Sequence, residues 1–434
     1  MTNTNHNTEY VTQGEVLKSP VPASYAPNII NSFKGQPGLY LHVPFCEYIC
    51  PFCPYNKVLY DEKLVASYFN ALNQEINHYL KYTSTPFSSL YIGGGTPTLC
   101  LEQLGDIIER IPVAGERAIE VLPGHATREN IGRLRELGIN YLSLGVQSFD
   151  ESVLNYLKRP NTVAQNHAAL NAAIGEFDCV DVDLIFDVAF EDRSIFLHDL
   201  ETCFKANVEQ VSTYPLMRFG YTPFGKSGHQ SKKEHEILKK AEELAQQYNY
   251  ERRSVWTFNR RDASNYTSIT REFYLGCGAG AGSYTGSLFF LNHFSIPDYI
   301  QKVMAGNLPI ARAHQLSQRK AAAYYLFWQA YTGKVNLAHF DKLFPKQGML
   351  KNLLYALIKF GIFKSQGEEL LLTQQGYDHY HDLERWVTYH FIEPLWADMM
   401  HEHTHLQDYL LPLSGTQRFW LRLAGMNKTQ TRKL

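Results

Sequence analysis

A chain of 434 residues and 49.8 kDa is long enough for two or three domains, or for one large barrel with extensions. Its 44% apolar and 19% charged residues exclude a wholly disordered polypeptide. The near-balance of 41 basic against 43 acidic residues, with no run of ~18 apolar residues, leaves neither a nucleic-acid nor a membrane partner expected.

The opening MTNTNHNTEY has no basic or apolar secretory segment, so a cytoplasmic placement is expected. Residues 1–37 carry four prolines and four threonines without apolar periodicity and read as an N-terminal extension. From Gly38 short apolar runs alternate with amphipathic stretches. Strands are predicted at Gly38–Val43, Ser88–Ile92, Ala118–Leu122, Tyr141–Val146, Val180–Phe186 and Gln210–Leu216. Helices are predicted over Leu64–Leu80, Leu101–Ile111, the stretch capped by Thr127, and Glu234–Gln247. Six strands each followed by a helix predict parallel βα units, in a barrel or a doubly wound sheet. A glycine-dense segment, Leu275–Ser283, closes this region, and residues 38–312 are taken as the core.

Residues 313–434 read as a second, mostly helical domain. Helices at Leu316–Tyr331, Leu337–Phe344 and Met349–Phe360 precede a hairpin turning at Gly367, a winged-helix-like order. Its basic set, Lys351, Lys359 and Lys364, is too thin for nucleic acid, so a packing or lid role is expected.

The sharpest feature is His42-Val-Pro-Phe-Cys46-Glu-Tyr-Ile-Cys50-Pro-Phe-Cys53. Three of the seven cysteines crowd into eight residues directly after a predicted strand, which fits metal ligation in a reducing compartment rather than a disulfide framework. A structural zinc site wants four ligands, and no second C-x2-C pair exists; His42 is the one upstream candidate for a fourth. Three thiolates on a four-iron cluster leave one iron open to a small molecule.

C-x3-C-x2-C with Phe52 before the third cysteine resembles the radical S-adenosylmethionine (SAM) superfamily. With Tyr40-Leu-His-Val-Pro-Phe-Cys46 and Gly93-Gly-Gly-Thr-Pro97, the stretch from Tyr40 to Ser283 is similar to its oxygen-independent coproporphyrinogen oxidase (HemN-like) group. The resemblance implies an α/β fold, a partial (β/α)6 TIM-like barrel followed by the C-terminal domain. It implies a [4Fe-4S] cluster on Cys46, Cys50 and Cys53, SAM on the open iron, and a 5′-deoxyadenosyl radical as the reactive product. Tyr40 matches the tyrosine beside the cluster, and Phe52 packs against it. Gly93, Gly94, Gly95 and Thr96 match positions that hold SAM, as do Glu120, Gln147, Arg159 and Asp183 at or within strand ends. Ile185 and Pro215 fall near a pocket for a second SAM molecule. A small-molecule substrate and an electron donor such as flavodoxin or ferredoxin are implied as partners.

The chain also departs from the group. Tyr55 stands where coproporphyrinogen dehydrogenases carry a further cysteine. Ser264–Ile269 lacks the His-Asn-x-x-Tyr-Trp pattern of heme-chaperone relatives, and Asp183-Leu-Ile-Phe186 runs into Asp187-Val-Ala instead of Gly-Leu-Pro. These departures lead the sequence reading toward radical methyl or methylene transfer to an unsaturated or aromatic ring, tetrapyrrole included, using two SAM molecules. The alternatives are coproporphyrinogen III oxidation and a heme chaperone-like role. Three further features stay open: Cys277 as a hydrogen donor or a core thiol; Arg252, Arg253, Arg260, Arg261 and Arg271 as a carboxylate clamp or surface; and His401–His405 as a metal motif.

Overall fold

The computed structural model describes residues 20–188, 193–227, 234–263 and 272–401 with isolated positions 412, 414, 415 and 418. The apolar runs become strands of one twelve-stranded sheet. In chain order these are β1 Gly38–Val43, β2 Leu90–Gly94, β3 Arg117–Val121, β4 Tyr141–Gln147, β5 Cys179–Phe186 and β6 Gln210–Pro215. They continue as β7 Tyr250–Arg252, β8 Thr257–Arg260, β9 Tyr274–Cys277, β10 Gly282–Tyr284, β11 Leu288–Asn292 and β12 Ile310–Gln315. The spatial order is β7-β8-β6-β5-β4-β3-β2-β1-β9-β10-β11-β12, so β7 and β12 are free edges and the barrel is open.

Strands β1 to β6 are parallel neighbours, as the predicted βα alternation requires. Between and after them run α1 Glu62–Leu80, α2 Leu101–Arg110, α3 Arg128–Glu136, α4 Val163–Ala173, α5 Arg193–Lys205 and α6 Glu234–Gln247. Asp61 caps α1 by accepting from the Leu64 amide, and Thr127 caps α3 through Asn130. Helix α1 buries Val65, Tyr68, Phe69, Leu72, Ile76 and Tyr79, each worth about 1.5–3 kcal/mol of burial. Alternation along β5 sends Val180, Val182 and Leu184 outward into the fully buried layer beneath the helices. Cys179, Asp181, Asp183 and Ile185 then face the lumen. Its closed end is sealed by Tyr91, Ala118, Tyr141 and Cys179, contributed by four adjacent strands.

The glycine-dense segment that closes the region contains a seventh parallel strand: β9 pairs with β1 through Gly276–Tyr40 and Cys277–Leu41. A side chain on Gly276 would lie 2.2 Å from the Gly282 carbonyl oxygen, so only glycine lets β9 and β10 approach. Part of the N-terminal extension is structured: Val21–Pro22 pairs with Asn307–Leu308, and Ile29 of the short helix Ala26–Asn31 is fully buried. Residues 1–19 lie outside the described residues.

After α7 Ile296–Met304 and β12 come α8 Gln318–Tyr331, β13 Lys334–Asn336, α9 Leu337–Leu343 and α10 Gly348–Lys359. The chain continues as β14 Phe363–Gln366, β15 Glu369–Leu372, α11 Gln374–Val387, a π-turn at Thr388–Ile392, and α12 Glu393–His401. The hairpin turns at Gly367 as expected, with φ +61°, and β13 joins it as a third strand. The end of α11, the π-turn and α12 lie across the barrel mouth. His381 accepts from the Trp256 indole at 2.9 Å, the Tyr389 hydroxyl accepts from the Arg218 amide at 3.1 Å, and Trp396 stacks on Phe219. No helix among the described residues is long and apolar enough to cross a membrane.

Candidate functional site

The three cysteines leave the C-terminal end of β1. Cys46 closes the two-residue strand Phe45–Cys46, held by its pairing with Val58–Leu59, and the loop between carries Cys50 and Cys53. The Cys53 amide donates to the Cys50 carbonyl in a tight turn, and the Lys57 ammonium donates to the Cys53 and Tyr55 carbonyls. All seven cysteines are free thiols.

His42 is the hub that anchors this loop. Its Nε2–H donates to the Asn56 carbonyl at 2.9 Å, so Nδ1 accepts from the Tyr40 hydroxyl at 2.8 Å. Burial pulls its pKa down to about 4, and the ring is neutral. Both nitrogens are used inside the protein, which removes His42 as a fourth ligand. The Asn56 side chain in turn donates to the carbonyls of Ala279 and Phe294, tying the cysteine loop to the glycine-dense segment.

Gly93 and Gly94 end β2 beside β1, and Gly95 follows at the base of the loop. Gly94 has φ +119°, and a side chain there would meet the His42 ring at 2.6 Å. At Gly95 it would lie 2.6 Å from the Phe45 carbonyl oxygen and 2.9 Å from the Cys46 sulfur. The Thr96 amide donates to the Phe45 carbonyl at 2.7 Å, and the threonine is buried. Glu120, near the end of β3, accepts from the Gly94 amide at 3.1 Å and from the Tyr91 hydroxyl at 2.7 Å. Tyr91 stacks on Tyr40. Burial raises the Glu120 carboxyl above its ordinary value.

On the opposite wall, Arg159 donates to the Cys50 sulfur at 3.3 Å, the Gly145 carbonyl at 2.7 Å and Asn161 at 3.2 Å. Gln147 sits at a bulge ending β4 with φ +71°, a backbone state that L-residues rarely hold. Asp183 accepts from Ser143 at 2.8 Å, and burial together with Asp181 pushes its carboxyl well up. Asp181 accepts from Gln210 and Ser212 one layer deeper.

Ile185, Val153, Leu157, Val188 and Leu216 make a separate apolar cluster, with Phe52, Tyr156 and Phe224 packed on it. Phe52 therefore braces the cysteine loop against β5. Pro215 is buried opposite Phe186 at the end of β6 and delivers Leu216 to this cluster. Asp187, where the group's pattern has glycine, holds φ +65°, and its buried carboxylate pairs with Arg218 at 3.4 Å. The backbone keeps the glycine-like turn, with an ion pair offsetting its strain.

The glycine-dense segment, Cys277 and the described arginines do not join the site. The glycine-dense amides are consumed internally: Gly278 donates to Glu75, Ala279 to Tyr68 and Gly280 to the His293 carbonyl. Cys277 is fully buried among Leu41 and Glu75, a core thiol pushed up by burial. Arg260 pairs with Glu209 and Asp262, Arg253 and Arg261 with Glu251, and Arg252 with Glu242, so these arginines form no clamp. Arg271, Ser264–Ile269 and residues 402–405 lie outside the described residues.

Residues that the sequence reading passed over also matter. Asn56 and Lys57 hold the loop, and Tyr91 orients Glu120. Trp396 faces Tyr55, which the sequence marked only as a missing cysteine, across the mouth at 5.7 Å between ring centroids. Alternation placed Tyr91 in the lumen, so it could have been found; Trp396 had no local signal.

The donor set suits an iron–sulfur cluster. Burial and the neighbouring Cys53 push the Cys46 thiol up to about 12, so its thiolate needs a strong local cation, and burial likewise raises Cys50. Among the described residues, no three His, Cys, Asp or Glu side chains gather tightly enough for one metal ion; a four-iron cube is larger. Gly94 and Gly95 let the His42 ring and the Cys46 strand pack against the end of β2, and Arg159 is beside the thiols.

Comparison with known proteins gives the same picture. Residues 40–197 match the Radical SAM superfamily. The chain is 28% identical over 361 residues to the heme chaperone HemW of Bacillus subtilis (strain 168), covering 78% of this chain and 95% of the relative. It is 25% identical to the anaerobilin synthase of Escherichia coli O157:H7, over 78% of this chain and 80% of the relative. It is 27% identical to the oxygen-independent coproporphyrinogen III oxidase of Pseudomonas aeruginosa, over 64% and 68%. The structure of coproporphyrinogen III oxidase (HemN) from Escherichia coli superposes with TM-score 0.71 at 23% identity, covering 88% of this chain and 98% of that one, a likeness of fold. The chain is a radical SAM protein of the HemN-like group, whose cofactors are a [4Fe-4S] cluster and SAM.

Proposed function

We propose that this protein uses SAM-derived radical chemistry on a tetrapyrrole, with heme as the macrocycle. The observation that carries the reading is the mouth of the barrel. The cysteine loop opens there onto aromatic walls from both parts of the chain, Phe52, Tyr156 and Phe224 on one side and, on the other, Tyr55 and Trp396, the latter backed by buried Phe219. Flat ring faces suit a flat, apolar ligand of macrocycle size.

When bound, the cluster and SAM supply one electron and a 5′-deoxyadenosyl radical. Cys46, Cys50 and Cys53 would hold the cluster. Gly93, Gly94, Gly95, Thr96 and Glu120 form the wall for the SAM amino acid part, with the Glu120 carboxylate suited to an ammonium. Arg159 suits a carboxylate, while Gln147 and Asp183 suit ribose hydroxyls. Tyr40 and Tyr91 fix Glu120 and His42. Trp396 and Tyr55 shield the mouth from water. An external low-potential donor such as flavodoxin or ferredoxin would deliver the electron, in a cytoplasmic setting.

Methyl transfer, the first expectation from the sequence, finds no support in the relatives, whose names speak of heme, coproporphyrinogen III and anaerobilin. Two features favour heme over coproporphyrinogen. Tyr55 replaces the further cysteine of the coproporphyrinogen dehydrogenase pattern, and heme chaperone HemW aligns over 95% of its length. The test is anaerobic turnover with SAM and dithionite, offering hemin and coproporphyrinogen III in turn. The proposal expects 5′-deoxyadenosine to accumulate as the heme Soret band is lost. Coproporphyrinogen consumption with CO2 release, heme bound without SAM cleavage, or S-adenosylhomocysteine with a non-tetrapyrrole acceptor would each overturn it.

A further inference from the structure

The C-terminal region presents an apolar surface that the radical chemistry does not use. On α10 and the residue after it, Met349, Leu353 and Phe360 are 65%, 54% and 73% exposed. With Ala356 they fall at i, i+4, i+7 and i+11, one narrow line along a helix turning 100° per residue. Leu350, Leu354, Leu357 and Ile358, on the adjoining side of the helix, pack into the core, so the exposed line extends the apolar face out to the surface. Tyr355, at the flank, is 47% exposed.

The charge in the stretch of sequence that carries this line is one-sided, with exposed Asp341 just before it and Glu368 just after. Residues 342–364 contain five lysines and no aspartate or glutamate, in a chain of net charge −2. Lys351 is neutralised by Asp341 at 2.6 Å, whereas Lys342, Lys346, Lys359 and Lys364 are all exposed. Large apolar side chains rimmed by lysines are the chemistry of a helix lying in an anionic lipid interface. A nucleic-acid groove would ask this helix for hydrogen-bonding side chains, and it offers Met, Leu and Phe. Two copies meeting here would oppose their lysines.

We propose that α10 is a docking face for anionic lipid bilayers, with Met349, Leu353 and Phe360 entering the headgroup region and the four lysines binding headgroups. The expectation of no membrane partner rested on the absence of a span and on net charge, neither of which a surface contact requires. This proposal is independent of the substrate reading.

The test is co-sedimentation of the full chain with vesicles of phosphatidylcholine alone or mixed equally with phosphatidylglycerol, at low and high salt. Binding is expected to the anionic vesicles only, weakening with salt. The pair Leu353→Ser and Phe360→Ser should lower partitioning at least tenfold. The pair Lys346→Glu and Lys359→Glu should lower it more than tenfold, at about fivefold per lysine. Both pairs should keep the wild-type melting temperature and cluster absorbance. No binding at low salt, equal binding to neutral vesicles, or unchanged binding by both well-folded pairs would overturn the proposal. So would retention of duplex DNA, or a dimer that the serine pair dissolves, in place of vesicle binding.

Discussion

Replacing Gly95 with alanine probes the site most sharply. The added carbon would lie 2.6 Å from the Phe45 carbonyl oxygen and 2.9 Å from the Cys46 sulfur, against an ordinary contact of 3.4 Å. The first obstacle is backbone, so the strand bearing Cys46 must retreat by 0.8 Å, the difference of those two distances. Metal–ligand distances tolerate about 0.2 Å, and overpacking of this kind costs about 1–3 kcal/mol. Gly95→Ala should therefore leave a folded protein, its melting temperature a few degrees lower, that holds well under half the wild-type iron and sulfide after anaerobic reconstitution. The control is Gly132→Ala in α3, where nothing lies within 4 Å. It should keep the full cluster and gain about 0.5–1 kcal/mol, because alanine is the better helix former. A Gly95→Ala protein with full iron content would refute the reasoning that these glycines exist to admit the cysteine loop.

Arg159→Met removes the donor to the Cys50 sulfur and the charge placed for a carboxylate. SAM affinity by equilibrium dialysis should fall at least tenfold while iron content stays above half; equal affinity would remove Arg159 from the SAM site. Asp187→Gly relieves a left-handed residue but leaves Arg218 without its buried carboxylate, for a net loss of about 2–4 kcal/mol. Urea denaturation showing a gain instead would mean that the ion pair contributes nothing. Glu75, fully buried between α1, α7 and the glycine-dense segment, has its carboxyl raised to about 7, first by burial. Its native-state pKa lies above the unfolded value. The stability it gives is therefore complete below about pH 4.5 and lost as pH rises through about 7. The stability difference between wild type and Glu75→Gln should shrink between pH 5 and pH 8; a constant difference would show that Glu75 does not titrate there.

The parts of the molecule legible in the sequence are those whose chemistry is local. The cysteine spacing and the strands at Gly38–Val43 and Val180–Phe186 are each written within a few residues. Side chains that act across long separations were not legible. His42 serves Asn56, Asn56 serves Ala279 and Phe294, and Glu75 holds Gly278, links that no periodicity encodes. Strand β9 was hidden because glycine carries no strand propensity, although close approach of two backbones requires it there. Asp187 looked like a broken turn, and the structure shows the turn kept, with Arg218 supplying the compensation. The π-turn at Thr388–Ile392, which brings Tyr389 and Trp396 over the mouth, has no signal in the local sequence.

Everything rests on a four-iron cluster with one iron open to SAM. Electron paramagnetic resonance of the dithionite-reduced, anaerobically purified protein tests this directly, before and after SAM is added. The account predicts about four irons per chain, a reduced-cluster signal that changes shape with SAM, and loss of that signal in Cys50→Ala. Colourless protein, bound zinc in place of iron, or a cluster signal indifferent to SAM would contradict it.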